Sequence, residues 1–298
     1  MPCGSTTDCH PVYAAADIER SAAQWSPENN EAEVKLHERH NAAQSACSTG
    51  RQSTATNVLK SGGWCLSAPQ PKSHRTHSGG TVVLQNNETH TLPKGHYAPD
   101  AVVVAVLAAL LQNQISSLAI DRPQSVNDFG AGVGQYGHAL RAVNSSIDWR
   151  GFDGAGNVET YTNRFVRFFD LTLPLSLPKA DWVLSLEVGE HMQPEWEQMY
   201  LRNLHVHQCR GIIGSWAALG QVGTKHVNNH GRDYILERLA QLGYEPHREL
   251  QQLLRDVPHR RTLLPSQLAG LPIITQLRRN IFAVVRKNRS VACHSSIR

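Results

Sequence analysis

The stretch 125–140 constrains the fold of this chain more than any other part of its sequence. Residues 126–129 are typical of a short buried strand, and three glycines at alternate positions follow them: Gly130, Gly132 and Gly134. The next residues carry an apolar stripe at helical spacing, which predicts a helix. A strand, a glycine loop and a helix in this order predict an α/β sheet with a ligand site at the helix N-terminus.

Two cofactors compete for such a loop. Residues 132–137 fit G-x-G-x-x-G, the dinucleotide fingerprint, which is a weak signal by itself. Asp128 discriminates, because a carboxylate at the strand end repels a pyrophosphate but suits a ligand with an ammonium group. S-adenosylmethionine (SAM) carries that group and has no phosphate. The alternatives are an NAD-dependent oxidoreductase and a glycine turn that binds nothing.

The same residues carry a resemblance. Residues 128–134, D-F-G-A-G-V-G, resemble motif I, D/E-x-G-x-G-x-G, of the class I SAM-dependent methyltransferases. The resemblance implies an α/β fold with a Rossmann-like, seven-stranded sheet and helices on both of its faces. It covers residues 93–288, and we expect the methyltransferase domain to span residues 91–290.

Residues outside that range are predicted to lack a core. Residues 1–90 are rich in small and polar side chains, so we expect a largely disordered extension, and residues 291–298 are predicted to be a flexible tail. The extension is compatible with one short helix at 31–44, and we expect its histidines, including His37 and His40, to be solvated and to bind no metal.

Composition restricts the class of protein. The 298 residues carry a net charge of +4, too small to argue for a nucleic-acid partner. The six cysteines form no C-x-x-C pair, so we expect no zinc site, no disulfide framework and a reducing compartment. Without a membrane-length apolar run or a basic-then-apolar leader, we expect a soluble cytoplasmic protein with no membrane partner.

The other elements follow from apolar runs and from helix caps. Asp100 is predicted to cap a buried helix over 101–114, and Pro194 to start a helix that ends near 207. A further helix is expected at 233–241, and the proline-broken segment 173–178 is expected to be a loop. Strands are predicted at 149–152, 165–169, 181–186, 211–216, 248–254 and 280–286, with the last one antiparallel beside the fifth strand of the sheet.

Acidic residues at the ends of the second and third strands complete the predicted cofactor site. Asp153 lies about twenty positions past the glycines, where a carboxylate meets the ribose hydroxyls; a strand-end Asp in a turn is the alternative. Gly154 would leave room for the adenosine. The superfamily resemblance implies that Asp170 binds the adenine amino group. The alternative is that Asp170 caps a turn. The candidate cofactor ligands are Asp128, Gly130, Ala131, Gly132, Gly134, Asp153, Gly154, Asp170 and Glu187.

A finer resemblance rests on the residues after the third and fourth strands. The run from Phe165 through Asp170 to His191, together with His226-Val227-Asn228, is similar to the methyltransferase-like protein 24 family. That resemblance supplies no substrate. The membrane anchor of some animal members is not carried over to this chain.

The fourth predicted strand ends in an E-x-x-E-H cluster, which is formed by Glu187, Glu190 and His191. If a helical turn begins at Glu187, the three side chains share one face. They could then hold Mg²⁺ or Mn²⁺, and the mixed N/O set favours Mn²⁺. The cluster is similar to that of small-RNA and ubiquinone-pathway O-methyltransferases, and His226 matches a further ligand of the RNA enzymes. The alternative is a cluster without metal, in which Glu187 lines the acceptor side and His191 or His226 is the general base.

We therefore predict methyl transfer from SAM to an O or N nucleophile of a small-molecule acceptor, with an RNA 2′-hydroxyl as the second acceptor considered. A catalytically inactive SAM-binding interaction module is the alternative. Seven basic residues near the C-terminus would suit RNA, but we favour a solvated loop and tail because no aromatic residues interleave for base stacking. These residues are Arg260, Arg261, Arg278, Arg279, Arg286, Lys287 and Arg289. The oligomeric state does not follow from the sequence.

Overall fold

A computed structural model of the chain describes residues 30–48, 63, 65–66, 80–83, 89–93, 95–174, 176–255 and 264–288. The strands are β1 (Gly80–Val83), β2 (Thr89–Leu92), β3 (Ser125–Phe129), β4 (Asp148–Asp153), β5 (Val166–Phe168), β6 (Ala180–Ser185), β7 (Gln208–Gly214), β8 (Tyr244–Pro246) and β9 (Phe282–Arg286). The helices are α1 (Asn30–Ser48), α2 (Ala101–Leu111), α3 (Gln135–Val143), α4 (Val158–Tyr161), α5 (Glu197–Val206), α6 (Arg232–Gln241), α7 (Arg248–Arg255) and α8 (Thr275–Asn280).

Seven strands form one sheet in the order β5-β4-β3-β6-β7-β9-β8, and β1 and β2 form a separate antiparallel pair. The strands from β5 to β7 run parallel, whereas β9 lies antiparallel between β7 and β8. This confirms the Rossmann-like α/β fold and the predicted antiparallel strand beside the fifth strand. The strand order reverses between β3 and β6, and open α/β sheets bind their ligands outside the carboxyl ends of the strands at such a point.

One predicted strand is wrong. The segment predicted as a strand at 248–254 is helix α7, and the sheet uses the short strand β8 instead. The physical reason is spacing: Leu250 and Leu254 are both buried one helical turn apart, while glutamines lie between them. The helix α8 directly precedes β9 and was also not predicted.

Helix α2 begins as the sequence predicts. The Asp100 carboxylate accepts hydrogen bonds from the backbone N–H groups of Val102 and Val103, which caps the helix. Nine of its residues are buried against α3 and α7, although it ends at Leu111 rather than near 114. The Asp100 backbone N–H also donates to the hydroxyl of Tyr136 in α3, at 3.1 Å. The apolar helix therefore holds the start of α3 in place.

The N-terminal region contains more structure than the sequence predicts. The helix expected at 31–44 is present as the longer helix α1, whose Ala32 and Ala43 are buried against the domain. The expectation of no disulfide is wrong, because Cys47 at the end of α1 is bonded to Cys65. His40 was expected to be solvated, but its ring stacks on Phe168 at 4.4 Å between centroids. The rest of 1–90, and the tail 291–298, lie outside the described residues.

Two further expectations were confirmed within the described residues. No helix lies between β5 and β6, as the prolines predicted, and α5 follows a short 3₁₀ turn at Pro194–Trp196.

The described helices include none with the length and apolar character needed to cross a bilayer.

The basic residues near the C-terminus do not form one solvated rim. Arg278 is 6% exposed and lies 3.6 Å from Asp100, and Arg286 donates to the backbone oxygen of His205 at 2.5 Å. Arg279 and Lys287 are exposed. The other three basic residues, Arg260, Arg261 and Arg289, lie outside the described residues.

Candidate functional site

The glycine loop has the backbone conformation that its sequence predicts. Gly130, Gly132 and Gly134 have φ angles of +75°, +59° and +80°, which side chains with a Cβ rarely adopt. The backbone N–H groups of Gly130 and Ala131 both donate to the Phe152 carbonyl oxygen, at 2.9 and 3.0 Å. The loop is therefore fastened to the end of β4, and Gly134 forms the N-cap of α3.

Asp153 lies at the end of β4 and bonds directly to the loop. Its Oδ2 accepts from the Gly132 N–H and its Oδ1 from the Ala155 N–H, both at 2.8 Å. Burial raises the pKa of Asp153 to about 6, although both N–H groups lower it. A carboxylate offers about four acceptor positions, so about two remain for a ligand's hydroxyl groups. The space beside Gly154 is taken by the backbone of Gly63, since a Cβ on Gly63 would come 2.1 Å from the Gly154 oxygen.

Asp128 is buried in β3, and its Oδ2 accepts from the indole N–H of Trp149 at 3.0 Å. Burial raises the pKa of Asp128 to about 7; the Trp149 hydrogen bond lowers it and the charge of Asp153 raises it. The indole lies close to two glycines: a Cβ on Gly137 or Gly151 would approach it to 2.5 or 2.2 Å. Trp149 therefore holds the Asp128 carboxylate in place. Sequence reasoning missed this role, and the glycines that flank the indole were its only signal.

Asp170 lies under α1 rather than facing an open space. It is 1% exposed, and its Oδ2 pairs with Nη1 of Arg39 at 2.5 Å. Its Oδ1 accepts from the N–H and the hydroxyl of Thr172, at 2.9 and 2.6 Å. The sequence did not indicate Arg39, which is 131 positions away. A second residue that was missed is His96, whose ring would lie 2.7 Å from a Cβ on Gly132.

The E-x-x-E-H cluster follows β6, but its local structure differs from the prediction. The helical turn is a 3₁₀ turn that begins at Gly189, not at Glu187, so the predicted shared helical face is wrong. Glu187 has a φ of +54°, an unusual conformation for a residue with a side chain. Its backbone N–H donates to Oγ of Ser215 at 2.8 Å, and its Oε2 accepts from Gln221 at 3.3 Å.

Glu190 is fully buried, and neither oxygen of its carboxylate has a hydrogen bond of good geometry within the described part of the chain. Burial, together with the negative charge of the neighbouring Glu187 and a hydrogen bond between the two side chains, raises its pKa to about 8. Nearby backbone N–H groups, including that of Ala217, only partly oppose these effects. Buried unsatisfied carboxyl groups are rare in folded proteins, and a bound ion or water molecule beside Glu190 would satisfy this one.

Two imidazoles lie beside Glu190. His191 Nδ1 faces the Lys225 carbonyl oxygen at 3.2 Å, and His226 Nδ1 faces the Gln221 carbonyl oxygen at 3.1 Å. Because a carbonyl only accepts, each Nδ1 is the protonated nitrogen and each Nε2 carries the lone pair. Burial lowers the pKa of His191 to about 4, so its ring is neutral at pH 7. The two rings meet edge to face at 5.0 Å.

The backbone of Glu190 also positions His226. Its carbonyl oxygen accepts from the N–H groups of Val227 and Asn228, at 2.8 and 3.0 Å. Asn228 in turn donates to Oε2 of Glu197 at 2.9 Å, and His230 lies 3.0 Å from the same oxygen. Although burial opposes the shift, these hydrogen bonds lower the pKa of Glu197 to about 2. A satisfied polar layer thus supports the loop that carries His226.

The donor set suits a divalent cation. One ligand atom each from Glu190, His191 and His226 lie within 4.8 Å of one another. Glu187 lies next to this group but is not part of it, although its Oε1 is buried without a partner among the described residues. A cation would supply the positive charge that the buried carboxylate of Glu190 lacks, and two imidazoles with one carboxylate favour Mn²⁺ over Mg²⁺.

The glycine loop and the E-x-x-E-H cluster are in contact. A Cβ on Gly130 would come 2.3 Å from Cγ2 of Val188, so the loop packs directly against the residue between the two glutamates. The strands β3 and β6 that carry them are neighbours in the sheet. The structure thus brings together two predicted groups of residues at one edge, while it places Asp170 beneath α1.

No protein family matches the chain, and no curated protein does. Solved structures similar to it include magnesium protoporphyrin IX methyltransferase from Synechocystis PCC 6803 with bound SAM, at 19% identity over 63% of this chain and 79% of that chain, with a TM-score of 0.42. Another is 1,6-didemethyltoxoflavin-N1-methyltransferase from Burkholderia thailandensis, at 16% identity over 63% and 79%, with a TM-score of 0.37. The methyltransferase domain of bacterial Hen1 gives 15% identity over 49% and 86%, with a TM-score of 0.37. Such low values say nothing of the reaction, and the fold assignment rests on the strand order. The finer resemblance to the methyltransferase-like protein 24 family stays a prediction.

Proposed function

We propose that this chain is a SAM-dependent methyltransferase that transfers a methyl group to an oxygen or nitrogen nucleophile of a small-molecule acceptor. The observation that carries the proposal is the contact between two groups at one sheet edge. One is the glycine loop bonded to Asp153, and the other is the cluster of Glu187, Glu190, His191 and His226 at the end of the neighbouring strand.

The first group suits the cofactor. SAM supplies a methyl group on a positively charged sulfur. In our proposal Asp153 accepts the ribose hydroxyls with its remaining acceptor positions, and the glycines let the loop backbone approach the ligand. Asp128 adds negative charge near the cofactor's ammonium group. His96, which packs on Gly132, lies where the amino-acid end of the cofactor would reach the loop.

The second group suits the acceptor. Glu190, His191 and His226 would hold Mg²⁺ or Mn²⁺, with Glu187 beside them, and such an ion lowers the pKa of a hydroxyl group. Without a metal, His191 or His226 would instead take the acceptor's proton through Nε2, and positioning of the acceptor against the methyl group would supply most of the acceleration. Arg278 is buried, and Arg286 donates to the backbone oxygen of His205, so neither side chain contributes to a basic RNA-binding surface. We therefore favour a small molecule over RNA as the acceptor.

A transfer assay tests this proposal. The protein is incubated with Mn²⁺ and methyl-labelled SAM in the presence of hydroxylated and amine-containing small molecules or of total RNA, and label transfer is measured. We expect label in a small-molecule fraction and none with Glu190→Gln. Tight binding of S-adenosylhomocysteine (SAH) without any transfer would favour the inactive SAM-binding module. Tighter binding of reduced nicotinamide dinucleotide than of SAH would contradict both.

A further inference from the structure

The N-terminal helix lies against the part of the sheet where the adenosine of the proposed cofactor would bind. Arg39 in α1 pairs with Asp170 at the end of β5, and its Nη1 also donates to the Thr172 hydroxyl at 2.7 Å. The next residue, His40, stacks on Phe168 of β5. The backbone of Ala43 meets Gly156, where a Cβ would come within 2.4 Å. Three successive contacts thus lie along one side of α1.

The residues after α1 cover the end of β4. Gly63 packs on Gly154, and Leu66 exchanges two hydrogen bonds with the Asn157 side chain, both at 2.8 Å. The Cys47–Cys65 disulfide, which spans 18 positions, joins these two parts. The end of α1 and the segment on β4 are therefore tied covalently to each other, and each is also bonded to the domain.

Exposure along the sheet edge shows where this cover stops. Gly130, Asp153 and Glu187 stay partly exposed, as do their immediate neighbours Phe152, Gly154 and Val188. Ala155, Gly156 and Asp170, by contrast, are buried. The partly exposed residues therefore lie along the ends of β4, β3 and β6, and the exposure falls where the N-terminal segment begins.

We propose that residues 30–48, 63 and 65–66 form the adenosine-side wall of the cofactor groove, anchored by the Arg39–Asp170 pair and closed by the Cys47–Cys65 disulfide. This inference rests on the proposed function. Asp170 is then a positioning residue that acts through Arg39, instead of the adenine ligand that the superfamily resemblance implied. Its carboxylate is buried and already accepts three hydrogen bonds from Arg39 and Thr172, of about four that a carboxylate can accept, which leaves the wall's own surface to contact the adenine.

The wall responds to thiol reagents. A dithiol transfers two electrons and two protons to the disulfide, which breaks the S–S bond and yields two thiols on the protein and a cyclic disulfide of the reagent. Without the tie, α1 and the segment at Gly63 order independently, so the groove loses part of its preorganisation. Reduction is therefore expected to weaken cofactor binding.

Calorimetric titration with SAH and with 5′-methylthioadenosine, which keeps the adenosine half only, tests the wall. We expect Arg39→Ala and Asp170→Asn each to weaken both ligands about tenfold, with the double variant no weaker than either one, because they break one contact. Arg39→Lys should recover part of the loss. Lys35→Ala is the matched control, since Lys35 lies on the same helix, is half exposed and, among the described residues, pairs with the exposed Glu31 alone. Far-UV circular dichroism checks that each variant is folded.

The disulfide is tested in the same titrations. Dithiothreitol should weaken binding by the wild type several-fold and leave Cys47→Ser unchanged, and the untreated Cys47→Ser should match the reduced wild type. If Asp170→Asn weakens binding while Arg39→Ala does not, Asp170 contacts the adenine itself and the wall is wrong. Tighter binding by Arg39→Ala would make the segment an obstruction instead. In both cases the wild type still binds SAH and the proposed function stands, whereas a wild type that binds neither ligand contradicts both proposals.

Discussion

The two halves of the candidate site lie side by side on one sheet edge, yet they differ in how far the protein satisfies its own groups. In the cofactor half, Asp128, Asp153 and Asp170 all have hydrogen-bond partners within the protein, and glycines occupy the positive φ angles. In the acceptor half, the carboxylate of Glu190 has no hydrogen bond of good geometry among the described residues, and Glu187 has a positive φ.

This difference indicates what each half needs. The cofactor half is preorganised by backbone hydrogen bonds, so a ligand adds contacts to a finished structure. The acceptor half stores unfavourable free energy in a buried carboxylate and in a strained backbone, which persist in proteins where function requires them. A ligand or cation that binds the acceptor half should therefore stabilise the fold. The affinity of a ligand for the cofactor half should instead depend on individual hydrogen bonds.

The largest expected effect is the loss of SAH affinity when a side chain of the cofactor half is removed. Asp153→Ala should weaken SAH binding about a hundredfold, because hydrogen bonds to a charged group contribute about 1.5–3 kcal/mol each. Asp148→Ala is the control, since this residue is exposed at the opposite end of the same strand and its one ion pair within the described part of the chain is with Arg150. Calorimetry measures both. Equal losses in the two variants would mean that β4 itself is destabilised and that Asp153 has no specific part in binding.

The next largest effect is the stabilisation of the fold when Mn²⁺ binds the acceptor half. Mn²⁺ at a hundred times its Kd should raise the free energy of unfolding by about 2.7 kcal/mol in the wild type. Glu190→Gln should abolish this gain, while Glu195→Gln, at an exposed position, should keep it. Thermal unfolding with Mn²⁺ or with excess chelator measures the difference. If Mn²⁺ does not stabilise the wild type, the acceptor half is not a metal site.

The pH dependence of stability distinguishes the E-x-x-E-H cluster from the polar layer around Glu197 that supports it. The pKa of Glu197 falls from 4.5 to about 2 on folding, so its stabilisation is complete above pH 4.5 and is lost as the pH falls through about 2. Glu197→Gln should cost on the order of 2 kcal/mol at pH 7, after allowance for solvent screening, and much less near pH 2. Urea unfolding at several pH values checks this, with the exposed Glu237→Gln as control. A cost that does not change with pH would contradict the assignment.

The smallest expected effect is the gain in stability when the backbone strain at Glu187 is relieved. Glu187→Gly should raise the free energy of unfolding by about 0.5–1 kcal/mol, because a glycine adopts a positive φ without a steric penalty. It should also lower the affinity for Mn²⁺ or for the acceptor. Arg164→Gly, at another positive φ outside the E-x-x-E-H cluster, should give a similar gain without the loss of affinity. A destabilised Glu187→Gly would show that the side chain stabilises the fold.

Much of the fold followed from local pattern. The continuous apolar run of β6, the glycines before α3 and the Asp100 cap are local signals, and each predicted its element within a few residues. The error at α7 arose because a short segment with three leucines fits a strand as readily as a helix until its neighbours are known. The arrangement of Arg39 over Asp170, and the Cys47–Cys65 disulfide, join positions far apart in the chain, where no short pattern exists.

The sequence by itself determined six of the seven strands of the large sheet, the glycine loop and the polar residues at the strand ends, because these depend on side-chain spacing and on the conformations that glycine alone tolerates. Only the tertiary structure decided which polar groups are satisfied. Burial and partners set the pKa of Glu190 and the fate of Asp170, and both arise from chain segments that folding brings together. Long-range packing thus determines how a cluster that local sequence already places at the sheet edge can act.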